Sequence, residues 1–329
     1  MSIGQLKRQL LAALLSVCVA GIALGSSTYA WYVSNNKVEG TTSKIYATTN
    51  GFILQIASVE DGGAQHGGNE QSLSATNFGG KITPSSTNDI KDWFVCEGWD
   101  THGNVLTYTK PSFKTGTDAR AGEYSAGGED HFAYIKSEFI LYTMTQTGYA
   151  DVFLDSTEGS PITVSIDNGK SASSTTIPDS MRIAITTQEL EEDGITPKGT
   201  EELRVVYAPK QETGKGNDST GKNGMTAIVA DGTGGKLIDV TYPYIYATKY
   251  VDQNSKNWAV VKTTDGSYIY PTGQTEETSE AIAKGIGYNG IMARIYIWME
   301  GTDADCVNNS AVEDEATYSV VVKFAGVTP

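Results

Sequence analysis

Histidine is scarce in this chain: there are three, His66, His102 and His131. None stands in a His-Glu-x-x-His pattern, so a zinc protease of that kind has no support. No Gly-x-Ser-x-Gly elbow is present to raise a serine nucleophile on a strand-to-helix turn. Cysteine is equally rare, at Cys18, Cys96 and Cys306, which excludes a disulfide-dense scaffold. Cys96 beside a histidine would be the one route to nucleophilic chemistry, and no second motif accompanies it. Positive charge is short as well: 24 Lys and Arg face 39 Asp and Glu, for a net charge of −15. Nucleic acids and anionic lipids, which need basic patches, are disfavoured as partners. Long helical patterns are nearly missing, and only Glu276 to Lys284 reads as a short helix. Apolar runs are missing too, except at the start.

That exception is a leader. Lys7 and Arg8 precede an apolar run from Leu10 to Leu24, and Gly25-Ser26-Ser27-Thr28-Tyr29-Ala30 follows. A basic start, a short apolar core and a small-x-small end at Thr28 and Ala30 make residues 1–30 a signal peptide, expected to be cut between Ala30 and Trp31. The apolar core is shorter than the roughly 20 residues a spanning helix needs. Counting through Trp31 and Val33 would lengthen it into a retained anchor, the alternative to cleavage. Val17 before Cys18 and the apolar residues after it argue against a lipidated cysteine. Removing Lys7 and Arg8 with the leader takes the charge from −15 to −17. Self-repulsion of that size means any self-assembly needs specific contacts. No second apolar stretch follows and no wall-sorting tail closes the chain. The mature protein is therefore expected outside the cell or at its surface, exported by the Sec route, with no membrane association after cleavage.

The rest is rich in Gly (36), Ser, Thr and Tyr, the composition of extracellular all-β proteins. Ile291 to Met299 alternates strictly. Ile291, Ala293, Ile295, Ile297 and Met299 form an aliphatic face; Arg294, Tyr296 and Trp298 form a mixed face that a loop or a partner would have to cover. Thr317 to Phe324 places Tyr318, Val320, Val322 and Phe324 on one side. Further strands are expected in Tyr134–Thr145, around Val152 and Leu154, and over Ile162–Ile166, Met181–Thr186 and Leu203–Tyr207. Ile45 to Ala57 is a β-rich stretch broken at Asn50-Gly51. Asp61–Gly80 and Gln211–Gly224 read as long Gly/Ser/Asn-rich loops, and Gly232-Thr233-Gly234-Gly235 as a turn. Many strands of this kind predict two packed sheets, a jelly-roll or Greek-key β-sandwich with one short helix. The expected division is 1–30 signal, 31–44 an N-terminal strand, and 45–329 one large domain.

Three groups of residues are candidate sites. Cys96 and Cys306 are the cysteines left after cleavage; they either pair or stay as two buried thiols. Glu300-Gly301-Thr302-Asp303-Ala304-Asp305-Cys306 ends the strongest strand, and Glu97-Gly98-Trp99-Asp100 echoes it. Closely spaced carboxylates can hold calcium, which makes Glu300, Asp303 and Asp305 calcium candidates. The EF-hand spacing is absent and a solvated acidic turn is the plainer reading. No other cofactor is indicated. Trp93, Trp99, Tyr108, Tyr124 and the Tyr242-Pro243-Tyr244-Ile245-Tyr246 run could stack sugars if exposed, although strands are enriched in such residues anyway.

Two segments carry a family resemblance. Thr28-Tyr29-Ala30 running into Trp31-Tyr32-Val33-Ser34-Asn35-Asn36-Lys37-Val38 resembles the processing region of TasA/camelysin-type exported proteins of Gram-positive bacteria. Ile297-Trp298-Met299-Glu300-Gly301-Thr302-Asp303-Ala304-Asp305-Cys306 is similar to a Trp-x-Glu-Gly-x-Asp-x-x-Cys signature of members from anaerobic Firmicutes, and Ile82-Thr83-Pro84-Ser85-Ser86-Thr87 also resembles sequence of that group. Residues 148–283 do not align. The resemblance implies a non-enzymatic jelly-roll subunit of a biofilm-matrix fibre. Its partners would be copies of itself and other matrix or cell-wall components. Some members are described as proteases, and no motif here supports that activity. An open sheet edge templates a strand from another chain. Trp31, Tyr32, Val33 and Val38 are therefore expected in a donor strand, freed by cleavage and inserted into the next subunit. A secreted carbohydrate-binding adhesin of the same fold class is the alternative, and a secreted hydrolase a weaker one.

Overall fold

In this computed structural model, residues 38–49, 54–59, 62–63, 72–76, 81–87, 89–99, 105–144, 146–157, 159–166, 180–209, 228–231, 234–237, 250–252, 259–262, 268–269, 281–301, 306 and 316–327 are described. They form strands and no helix. In chain order the first half holds β1 (Val38–Thr49), β2 (Leu54–Ser58), β3 (Ser72–Thr76), β4 (Lys81–Ile82), β5 (Ser85–Thr87), β6 (Trp93–Trp99), β7 (Val105–Thr109), β8 (Glu123–Ala126), β9 (Glu129–Phe132), β10 (Ile135–Thr143) and β11 (Ala150–Asp155). The second half holds β12 (Ile162–Ile166), β13 (Met181–Leu190), β14 (Pro197–Ala208), β15 (Ile228–Asp231), β16 (Gly234–Leu237), β17 (Tyr250–Asp252), β18 (Ala259–Lys262), β19 (Tyr268–Ile269), β20 (Ala283–Ile286), β21 (Ile291–Met299) and β22 (Ala316–Val327).

Two large sheets share the main core. One runs β17-β14-β13-β21-β10-β2; the other runs β19-β18-β11-β22-β1-β3, with β12 also on β22 and β20 on β11. The alternation of β21 holds: Ala293, Ile295, Ile297 and Met299 are buried in one cluster with Phe139 and Leu141 of β10 and Ile183 and Ile185 of β13. Tyr318, Val320, Val322 and Phe324 of β22 join the same cluster from the other sheet, with Val152 and Leu154 of β11. Each buried Val, Leu, Ile, Phe or Met among them contributes about 1.5–3 kcal/mol through burial. A one-residue slip of β21 would turn Arg294, Tyr296 and Trp298 into that core, so the register is held by the pattern itself.

The mixed face of β21 is covered. Of two smaller sheets, β15-β16-β7-β6-β5 and β4-β9-β8, the first brings Trp93 of β6 onto that face. Trp93, Trp298, Tyr296, Ala184 and Val206 form a second buried cluster. Trp93 meets Trp298 edge-on, with ring centroids 5.5 Å apart and planes at 87°. The Tyr134 ring also packs on Trp93, with centroids 4.3 Å apart and planes tilted by 30°.

The structure corrects two expectations. Ala283 and Lys284, expected at the end of a short helix, belong to β20. Ala283 pairs with Val152 and buries its side chain, and Ile282 N–H donates to the Val152 carbonyl at 2.7 Å. The exposed edge of β11 captures this segment, and Gly285 at φ +61° suits a turn rather than a helix. Residues 276–280 lie outside the described ones. Second, Ser72–Thr76, inside the stretch expected as the loop Asp61–Gly80, form β3 and pair with β1, itself one continuous strand from Val38 to Thr49.

Candidate functional site

The N-terminal strand is seated inside a sheet. β1 pairs parallel with the C-terminal strand β22 over eleven residue pairs, from Val38 with Ala316 to Thr49 with Gly326. A register shift between Gly40 and Thr42 leaves Thr41 as the extra residue of a bulge. On its other side β1 pairs antiparallel with β3, from Thr42 with Thr76 to Tyr46 with Ser72. Val38, expected at the free part of a donor strand, is thus held within its own chain. Ala30, Trp31, Tyr32 and Val33 lie outside the described residues. Without β1, the edge of β22 would present an unpaired ladder of N–H and C=O groups beside the buried row Tyr318, Val320, Val322 and Phe324. Each buried group left unpaired costs about 1–3 kcal/mol. Chemically this seat is a strand-binding template.

The first two residues of the acidic signature, Glu300 and Gly301, form a joint. Glu300 is fully buried. Its backbone N–H donates to the Ser180 carbonyl at 2.8 Å, and its carboxylate accepts from Trp298 Nε1 at 3.1 Å. Gly301 N–H donates to the Ser85 carbonyl at 2.9 Å, and Ser85 Oγ donates to the Ala133 carbonyl at 2.5 Å. These contacts tie the end of β21 to β5. Asp303 and Asp305 lie outside the described residues. Among the described residues no group of three His, Cys, Asp or Glu side chains could hold a metal ion. Cys306 is buried; the backbone of Cys96 lies in β6 opposite Tyr108, and its side chain lies outside the described ones.

A charged knot crosses the outer face of the β21 sheet. Arg294 Nε donates to Glu138 of β10 at 2.6 Å, and an Arg294 terminal nitrogen donates to Gln188 Oε1 of β13 at 2.8 Å. The same nitrogen lies 3.4 Å from Glu201 of β14. Glu201 also accepts from Tyr296 Oη at 2.9 Å and from Thr186 Oγ1. Lys136 Nζ reaches Glu138 at 2.9 Å. Burial pushes the Glu138 carboxyl up, but the hydrogen bond from Arg294 and the charge of Lys136 outweigh it, so it sits below its usual range. Burial, and then Glu201, push the Tyr296 phenol well up. Glu138, Gln188 and Glu201 each face a donor, and the knot ties four strands together. The alternation of β21 put Arg294 on this face; its partners, far away in sequence, carry no local signal.

The aromatic candidates are mostly inside. Trp93, Tyr108 and Tyr124 are buried, at 2%, 4% and 6% exposure, which removes them as surface sugar platforms. Strand aromatics read alike on either face, so sequence alone does not separate a platform from a core ring. The side chain of Trp99 and residues 242–246 lie outside the described ones. His131 Nδ1 is 3.3 Å from Thr83 Oγ1, and its ring stacks on Tyr124; His66 and His102 lie outside. Among the described residues the large aromatic that is exposed is Tyr149, at 55%, and no sequence pattern singles it out.

Compared with known protein families, curated proteins and solved structures, the chain matches none of them.

Proposed function

We propose that this protein is a secreted structural subunit of an extracellular or cell-surface fibre, polymerised by exchange of its N-terminal strand. In this reading the two large sheets make a jelly-roll β-sandwich, and Sec export followed by a cut between Ala30 and Trp31 releases the segment that leads into β1. The likeness to TasA/camelysin-type matrix proteins, and a biofilm setting with it, belongs to the same proposal.

The observation that carries it is the position of β1: the first strand of the domain lies parallel to the last, between β22 and β3. In a monomer β1 fills its own seat. In a polymer the same strand from a neighbour makes the same ladder, so few hydrogen bonds are lost on exchange and no new chemistry is required. Giving one strand and accepting another is a head-to-tail contact, which propagates into an open filament. The donor is Val38–Thr49 in this reading, with Trp31–Lys37 ahead of it. A charge of −17 on each mature copy keeps unspecific aggregation away while leaving the ladder to specify assembly.

The test is microscopy of the chain beginning at Trp31. Filaments are expected, and a version lacking residues 31–49 should form none. Uniform monomers from the chain that begins at Trp31, across salt and pH, would overturn the reading.

A further inference from the structure

The two turns that hold the exposed Tyr149 make a second, pre-built site. β10 and β21 are neighbours in one large sheet, and β11 and β20 are neighbours in the other. The connections β10–β11 and β20–β21 therefore cross from sheet to sheet side by side. Between them lies an open hollow of about 450 Å³ lined by Gln146, Tyr149, Gly287, Tyr288, Asn289 and Gly290. That volume falls within the range of small-ligand sites, roughly 300–1,000 Å³.

The hollow is rigidly framed. Thr143 N–H donates to the Gly287 carbonyl at 3.1 Å, and Thr143 Oγ1 donates to the Gly148 carbonyl at 2.9 Å. Gly290 N–H closes the turn onto the Gly287 carbonyl at 3.2 Å. A Cβ at Gly290 would lie 2.7 Å from the Leu141 carbonyl oxygen, and φ there is +79°. A Cβ at Gly287 would lie 3.1 Å from Tyr149 Cε1. Glycine at 287 lets the tyrosine ring lie directly on the turn backbone, fixing one side of it while the rest faces solvent.

The lining is two phenols, two primary amides and bare backbone, with no charged side chain. This stands out on a chain carrying 63 charged residues. A tyrosine ring presents an apolar face, and amides offer donors and acceptors together. A ligand with apolar C–H faces, many hydroxyls and no charge matches this set; an anion would find no cation. We infer that this hollow binds one end or one segment of a neutral pyranose polysaccharide, with Tyr149 as the stacking platform and Gln146 and Asn289 as hydroxyl partners. The inference stands on the turns alone and does not depend on polymerisation.

The experiment is calorimetric titration of the chain from Trp31 with maltohexaose, cellohexaose and chitohexaose, with polygalacturonate as the charged control. Saturable binding to at least one neutral probe is expected. Tyr149→Ala should weaken it tenfold or more at an unchanged melting temperature, and Tyr149→Phe should keep most of it. Asn289→Ala should weaken it several-fold. No saturable binding to any neutral probe, binding only to polygalacturonate, or full affinity in Tyr149→Ala would each overturn the assignment.

Discussion

The ring of Trp93 stands edge-on to the ring of Trp298, 5.5 Å between centroids, and this pair fastens the five-stranded sheet to the outer face of the β21 sheet. Trp93 Nε1 donates to the Ile90 carbonyl at 3.1 Å, so the ring is fixed from its polar end as well. Trp93→Ala should destabilise the fold by about 3–5 kcal/mol, the usual loss for a large buried aromatic. Urea unfolding checks this, and a loss under about 1 kcal/mol would show that the two parts are held by something else.

Acid should loosen the Arg294 knot. The Glu138 carboxyl titrates below its usual range in the folded chain. Its contribution to stability is therefore complete above the unfolded carboxylate value, about 4.3, and is lost as pH falls through the lower folded value. Glu138→Gln should be less stable than the parent at neutral pH, and the gap should close as pH falls below about 4. Melting curves across pH measure it. A gap that stays constant into acid would contradict the charge-based account.

Alkali should act from the opposite side. Burial raises the Tyr134 and Tyr318 phenols to about 12, against about 10 in an unfolded chain. The folded chain keeps these protons longer, so their contribution is intact below pH 10 or so and disappears as pH rises toward the folded values. In a tyrosinate absorbance titration, ionisation of Tyr134, Tyr296 and Tyr318 should lag behind the value of an unfolded chain and come together with loss of β-sheet signal. Ionisation of all tyrosines in one step near 10 with the sheets intact would contradict the burial seen here.

Two glycines of positive φ separate strain from space. Gly116 has φ +124° and nothing within 4 Å of where a Cβ would stand, whereas Gly122 has φ +81° and would set its Cβ 2.2 Å from the Tyr134 carbonyl oxygen. Gly116→Ala should cost about 1–3 kcal/mol, the backbone penalty alone. Gly122→Ala should cost clearly more, since the Ala133 N–H to Gly122 carbonyl bond at 2.9 Å has to shift with it. Equal losses in thermal melts would contradict this packing.

The sheets that build the core were legible wherever aliphatic residues alternate with polar or aromatic ones, as in β21 and β22. Legibility failed where burial comes from elsewhere. Trp93 reads as a surface aromatic until β6 is placed on Trp298. Glu138, Gln188 and Glu201 meet Arg294 only through the order of four strands. Tyr149 looks ordinary until Gly287 comes beneath it. Ala283 and Lys284 followed the edge of β11 rather than their own helical preference, since local propensity yields to sheet pairing. The N-terminal strand was visible as β-prone sequence, but its place beside β22 is a contact between the two ends of the chain, which no local pattern records.

The most direct test of strand exchange is to lock β1 in its own seat. Lys44 and Val321 are register partners, and adjacent strands lie about 4.8 Å apart, within reach of a disulfide. A chain from Trp31 carrying Lys44→Cys and Val321→Cys should stay monomeric when oxidised and form filaments once reduced, as followed by light scattering and electron microscopy. Filaments growing equally fast from the oxidised, locked chain would show that β1 never leaves its seat to polymerise.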